Sequence, residues 1–143
     1  MLISTRGRYA LRVMIDLAEH PSEDFIPLKV IARRQEISEK YLEGIIKLLV
    51  KARFVNGLRG KGGGYKLTQA PEQYTVLSIL QLTEDSLAPV ACLEQDASVC
   101  PRASVCRTLP VWQGLDRLIR DYLEHITVAD LLEADVSGND YVI

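Results

Sequence analysis

The chain has 143 residues, 48% hydrophobic and 25% charged, the composition of one globular domain or of a compact domain with an extension. No apolar run approaches the roughly 18–20 residues that span a bilayer. The opening MLISTRGRYALRVMIDLAEH carries charges where a signal peptide would place an apolar block and a cleavage site, so a cytoplasmic location is expected and a membrane protein is not. The net charge of −2 hides an asymmetry: residues 1–66 hold 13 Lys/Arg and 7 Asp/Glu, whereas residues 67–143 hold 4 and 12. A basic half attracts polyanions and an acidic half repels them.

Ser4–Thr5 offers a helix start, and Tyr9, Leu11, Val13, Met14, Leu17 and Ala18 then recur as a helical face that ends near His20–Pro21. After a polar loop, Pro27 suits the first turn of a helix over about 28–35. Ser38 is a good N-cap for a helix from Glu39 to about Lys51, with Leu42, Ile45, Ile46 and Leu49 in the i, i+3, i+4, i+7 pattern of a buried face. Two short helices joined by a three-residue turn read as a helix-turn-helix. Gly44, inside the second helix, costs about 1 kcal/mol relative to alanine and allows a close backbone approach.

Residues 54–58 and 65–67 have the character of short strands joined by Arg59-Gly60-Lys61-Gly62-Gly63-Gly64. Glycine permits positive φ, so this is a hairpin tip. It lacks the Gly-Lys-Ser/Thr ending and following helix of a phosphate loop. Thr75 caps a helix to about Thr83, and residues 84–105 form a long irregular stretch holding Cys92 and Cys100, with Cys106 directly after it. A long helix follows over about 110–126, presenting Val111, Leu115, Leu118, Ile119, Tyr122 and Ile126, and Thr127 opens a last short helix over 128–133. The fold expected is mainly α with a small β-hairpin.

The second helix of a helix-turn-helix enters the major groove of DNA with its N-terminal residues toward the base edges. Those residues are Ser38, Lys40, Tyr41 and Glu43. Lysine donates to guanine O6/N7 or to phosphate, and glutamate accepts from cytosine N4. Arg59 and Lys61 at the glycine-rich tip are placed to reach the minor groove or the backbone. Each residue alone is more simply a solvated surface side chain; their co-occurrence with a basic N-terminal half is what points to DNA.

The opening STRGRYALRVMIDLA, the stretch ISEKYLEGIIKLLVKARFV and the hairpin GLRGKGGGYKL together resemble the Rrf superfamily of bacterial transcriptional regulators, in particular its iron–sulfur cluster regulators. The resemblance covers residues 1–133. It implies a winged helix-turn-helix over 1–83, a cysteine-containing sensor loop over 84–107, and a dimerisation helix with a tail over 108–143. It further implies a homodimer reading a palindromic operator, a repressor's role, and DNA-contacting positions at Ser38, Lys40, Tyr41, Glu43, Arg59 and Lys61.

The same resemblance places Cys92, Cys100 and Cys106 as ligands of an iron–sulfur cluster, 2Fe–2S or 4Fe–4S, because thiolates are the usual ligands of such clusters. Two departures stand out. Where the cluster regulators carry a histidine three residues after the third cysteine, this chain has Leu109, and seven residues rather than the commoner five separate the first two cysteines. Trp112 keeps the family's aromatic position, so the alignment holds and the histidine is absent. The fourth ligand is left open among Glu94, Asp96, His125, a residue of the partner subunit or a non-protein group. A thiol switch without metal and buried structural thiols are the alternatives. A regulator controlled through a partner enzyme is a further one, since the acidic half offers a docking surface. An enzyme is disfavoured: the two histidines, His20 and His125, lie far apart, and no motif sets a nucleophile beside a base and an orienting group.

Overall fold

The computed structural model describes residues 1–134; the last nine residues of the expected dimerisation segment, 135–143, lie outside it. Ser4 caps helix α1 (Thr5–Glu19), its hydroxyl accepting from the Gly7 N–H at 3.0 Å. Ala10, Val13, Met14 and Leu17 fall on one face and are buried. Helix α2 (Leu28–Gln35) begins one residue after Pro27, which occupies the N-cap position rather than the first turn expected of it. It stops because Glu36 turns into the left-handed region (φ 55°), a conformation that a residue with a Cβ adopts only when its surroundings enforce it. Here the enforcement is Ile37, which is buried and donates its N–H to the Ala32 carbonyl at 3.0 Å.

Helix α3 (Glu39–Lys51) starts at Ser38, whose hydroxyl accepts from Tyr41 N–H at 3.1 Å. Leu42, Ile45, Ile46 and Leu49 are buried, so the opposite face is the solvent face, as the spacing predicts. Strands β1 (Val55–Leu58) and β2 (Gly64–Leu67) pair antiparallel, Val55 opposite Leu67 and Leu58 opposite Gly64. The pair is shifted by a residue from the expected bounds. Phe54 is spent instead on the turn, donating to the Leu49 carbonyl, while Gly64 is pinned in the sheet. Ile26 and Tyr65 exchange backbone hydrogen bonds of 2.9 and 2.8 Å, so the segment before α2 serves as a third, one-residue rung.

Tyr74 anchors the back of the hairpin. Its hydroxyl donates to the Phe54 carbonyl (2.9 Å) and accepts from the N–H groups of Gln69 (2.9 Å) and Thr68 (3.1 Å), a buried polar group fully satisfied. Helix α4 (Val76–Thr83) follows, capped by Thr75. Helix α5 (Leu109–Glu124) ends two residues before the expected limit, and α6 (Val128–Glu133) opens on a capping box between Thr127 and Asp130. Val76 N–H bonds the Ile126 carbonyl at 2.8 Å and Val128 N–H the Tyr74 carbonyl at 2.9 Å. These bonds carry α6 back onto the N-terminal helices, where Val128 joins the main core with Val13, Met14, Leu42 and Tyr74. The architecture is mainly α with one small hairpin. No helix among the described residues is long and apolar enough to cross a membrane.

Candidate nucleic-acid interface and cysteine loop

The helix-turn-helix is clamped to α1 by a buried carboxylate. Asp16 is fully buried and receives Arg34 in a two-point contact, Nη2 to Oδ1 at 2.7 Å and Nε to Oδ2 at 3.1 Å, together with Gln35 Nε2 at 2.9 Å. A planar guanidinium meeting a carboxylate by two parallel bonds fixes orientation as well as distance. On the far side of the same turn, Arg12 reaches the Gln35 carbonyl and side chain and lies 5.2 Å from the Tyr9 ring centroid. Tyr9 meets Tyr41 edge to face at 5.6 Å. The first turn of α3 is therefore contacted from α1 by Tyr9, whose ring Arg12 covers while holding the end of α2.

Ser38, Lys40, Tyr41 and Glu43 are all exposed along the N-terminal half of α3. The Ser38 oxygen is already occupied as the helix cap, leaving its hydroxyl hydrogen as the free donor. Gly44 is exposed and an added Cβ would meet nothing within 4 Å, so no close approach within the chain requires it. Arg59 and Lys61 are exposed at the hairpin tip, where Gly60 (φ 89°) and Gly62 (φ 76°) take the left-handed conformation that the turn needs. Gly64 is constrained further: φ is 150° and a Cβ would overlap the Ile26 carbonyl. Sequence reading did not single out Lys47 and Lys51 as site residues; both are exposed and share a groove with Arg59. Among the described residues none of these five cations takes part in an ion pair.

Residues 84–108 contain one short 3-10 turn (Ala91–Leu93) and otherwise irregular backbone. The loop leaves the body at a latch. Glu84 Oε1 accepts from Ser4 N–H at 3.0 Å and from Ser4 Oγ at 2.9 Å, and the Arg6 guanidinium donates to the Thr83 carbonyl. Gly7 is buried beneath that carboxylate, where an added Cβ would overlap Glu84 Oε1. The start of the loop is thus tied to the first turn of α1, and the next turn of α1 carries Tyr9.

Cys92 is exposed, Cys100 and Cys106 are half-buried, and all three are free thiols. The Thr108 hydroxyl, 3.5 Å from Cys106 Sγ, and the Thr108 backbone hold the Cys106 thiol below its ordinary pKa. Among the described residues no three His, Cys, Asp or Glu side chains converge as metal donors. Glu94 and Asp96 are exposed on the same loop, whereas His125 caps α5, its Nδ1 2.6 Å from the Asp121 carbonyl. The donor chemistry still suits a cluster. Backbone hydrogen bonds within the loop run between near neighbours, such as Ala97 to Glu94 and Ala103 to Cys100, so bringing three thiolates together breaks no bond to the core.

Helix α5 has no fully buried residue. Val111, Leu115, Leu118 and Tyr122, on one face at i, i+4, i+7 and i+11, are exposed, Leu118 and Tyr122 by 68% and 69%. The other side packs Leu123 with Ile126 and Leu131 against Val76, Leu77, Leu80 and Leu87.

A family model described as Rrf2, iron-dependent transcriptional regulator, matches residues 3–134. The protein rrf2 of Nitratidesulfovibrio vulgaris is 39% identical over 132 residues, covering 92% of this chain and 87% of its own. Among solved structures, CymR, the global cysteine regulator of B. subtilis, superposes with a TM-score of 0.75 at 33% identity, over 94% of this chain and 99% of that one. The IscR of T. potens superposes at 0.70 with 38% identity, over 93% and 87%.

Proposed function

This chain belongs to the Rrf2 family of DNA-binding transcriptional regulators, which are not enzymes, and on that premise we propose that it acts as a homodimer on a palindromic operator, governed by its cysteine loop. The observation that carries the DNA reading is the cationic surface shared by α3 and the hairpin, without ion pairs among the described residues, set beside a helix N-terminus whose polar side chains face out. In this reading Ser38, Lys40, Tyr41 and Glu43 face the base edges, and Arg59 and Lys61 on the wing meet the minor groove or phosphates. The exposed face Val111–Leu115–Leu118–Tyr122 is the dimer seam, since a contiguous apolar stripe on a helix is stable only when covered. A protein that acts on DNA in this way works in the cytoplasm, most simply as a repressor.

Cys92, Cys100 and Cys106 are assigned as thiolate ligands of an iron–sulfur cluster. When bound, the cluster supplies a reversible signal of assembly and redox state. Leu109 cannot complete it, and Glu94 and Asp96 are the carboxylates nearest in sequence. The chain's own part is mechanical: Glu84, Ser4 and Gly7 join the loop to α1, Tyr9 joins α1 to Tyr41 of the reading helix, and Arg12 braces Tyr9 while tying α1 to the end of α2. A shift of about 1–3 kcal/mol between two arrangements of that path changes operator affinity 5- to 150-fold.

A second reading, a metal-free thiol switch, draws on the lowered pKa of Cys106 and on the likeness to the cysteine regulator CymR. Anaerobic isolation with iron and sulfide counted per chain separates the two. Iron and sulfide with a visible spectrum support the cluster. A colourless protein that stays so after reconstitution, yet binds its operator differently when oxidised, supports the thiol switch. If Cys92→Ala/Cys100→Ala/Cys106→Ala regulates as before, control lies with a partner enzyme or other protein. Arg59→Ala tests the wing, by weakening binding and flattening its salt dependence.

A further inference from the structure

We propose that the groove between α3 and β1 is the seat of the sugar–phosphate strand that separates the two DNA grooves, with Lys47 and Lys51 as its phosphate ligands. The inference rests on the DNA-binding reading above and extends it to a part of the surface with no role so far. When α3 lies in the major groove and the hairpin in the adjacent minor groove, one backbone strand has to pass between them. The groove is what the protein offers at that place. Lys47, Lys51 and Arg59 line it with Ile46, Val50, Leu58 and Tyr65, and among the described residues no acidic one does.

Lys47 and Lys51 stand one helical turn apart, about 6 Å along α3. A DNA strand carries one phosphate per ~3.4 Å of axis, so the pair spans about two phosphates. Like charges at i, i+4 repel and weaken a helix unless an anion lies between them. Neither lysine has an ion-pair partner among the described residues. Beneath them Val50 and Leu58 are 37% and 49% exposed, an apolar floor suited to deoxyribose.

Gly57 provides an independent mark. It sits within β1, where glycine weakens a strand, and it is not among the positive-φ glycines, so backbone conformation does not demand it. Space does: an added Cβ would lie 3.1 Å from Tyr65 Cε1 and 3.9 Å from Val50 Cγ2, against the groove's own walls. The missing side chain leaves the groove open.

Lys47→Gln/Lys51→Gln in the full-length protein tests this, with binding to an operator duplex and to a scrambled duplex of equal length followed across a salt series. The expected result is a fall of about 3.6 in the slope of log K against log[salt], at ~0.9 per phosphate for the four lysines of a dimer, with a loss of about tenfold or more near 0.1 M salt that is similar on both duplexes. A second variant, Gly57→Val, keeps every charge and improves strand propensity. It is expected to weaken both duplexes, with thermal unfolding lowered slightly as the Tyr65 ring gives way to the new side chain and the fold retained in circular dichroism. An unchanged slope in the double variant overturns the assignment, and so does a loss confined to the operator, which would make the lysines base readers. Failure of the unmodified protein to bind either duplex would instead remove the DNA reading itself.

Discussion

Replacing Gly7 with alanine sets an intrinsic gain against a steric loss at the latch beneath the cysteine loop. In an ordinary helix interior the change stabilises by about 1 kcal/mol, because glycine gives up more backbone entropy on folding. Here the new Cβ displaces the Glu84 carboxylate, which holds two hydrogen bonds from Ser4 at 3.0 and 2.9 Å, and it also lies 3.1 Å from Leu80 Cδ2 and Thr83 Oγ1. Hydrogen bonds to a charged group contribute about 1.5–3 kcal/mol each, less where water competes as it does at this half-buried site. Losing the pair costs about 2–3 kcal/mol, so Gly7→Ala is expected to destabilise by about 1–2 kcal/mol despite the better helix former.

In a Glu84→Ala background the carboxylate is gone. The same substitution should then be neutral or slightly stabilising, giving a coupling energy of about 2 kcal/mol between the two positions. Urea unfolding of the four proteins at one fixed concentration measures it, since the stability of the proposed dimer depends on concentration. A Gly7→Ala protein more stable than its parent, or equal effects in both backgrounds, would refute the latch.

Other expectations follow from the same contacts. Asp16→Ala removes the carboxylate that joins α1 to α2, and because the exposed Arg34 guanidinium can turn to water, about 2–3 kcal/mol of stability should go with it, read as a shift in the denaturation midpoint. Gly64→Ala forces a Cβ against the Ile26 carbonyl at φ 150°, so the wing should come away from α2, with DNA affinity falling while the helical circular-dichroism signal is retained. Leu118→Glu places a charge in the exposed stripe of α5 and should convert the dimer to monomer in sedimentation, with weaker operator binding; a monomeric parent protein would remove this reading of α5.

The legible features were those written within a few residues of chain. Ser4, Ser38, Thr75 and Thr127 each precede a run of helical periodicity, and each is the cap of its helix, because a hydroxyl capping an N–H three residues on is a local event. The buried face of α3 was equally plain, since the spacing 42, 45, 46, 49 admits only one side of a helix. The groups around the candidate site were not legible. Asp16 reads as a polar residue on the wet face of α1 until Arg34 and Gln35 fold onto it. Tyr74 reads as loop until its hydroxyl gathers three backbone groups, and Lys47 and Lys51 as solvated charges until β1 comes alongside.

The sequence by itself therefore determined the order and starting caps of most helices, the presence of the hairpin and the chemistry carried at each position, because these depend on capping, periodicity and the freedom of glycine over short spans. Tertiary structure alone decided which of those pieces touch. The joining of Glu84 to Ser4 across 80 residues, the hold of Tyr9 on Tyr41, and the exposure of an α5 stripe that local pattern would have buried all arise from packing. Such contacts depend on where distant segments come to rest, and a single chain's local pattern carries no record of that.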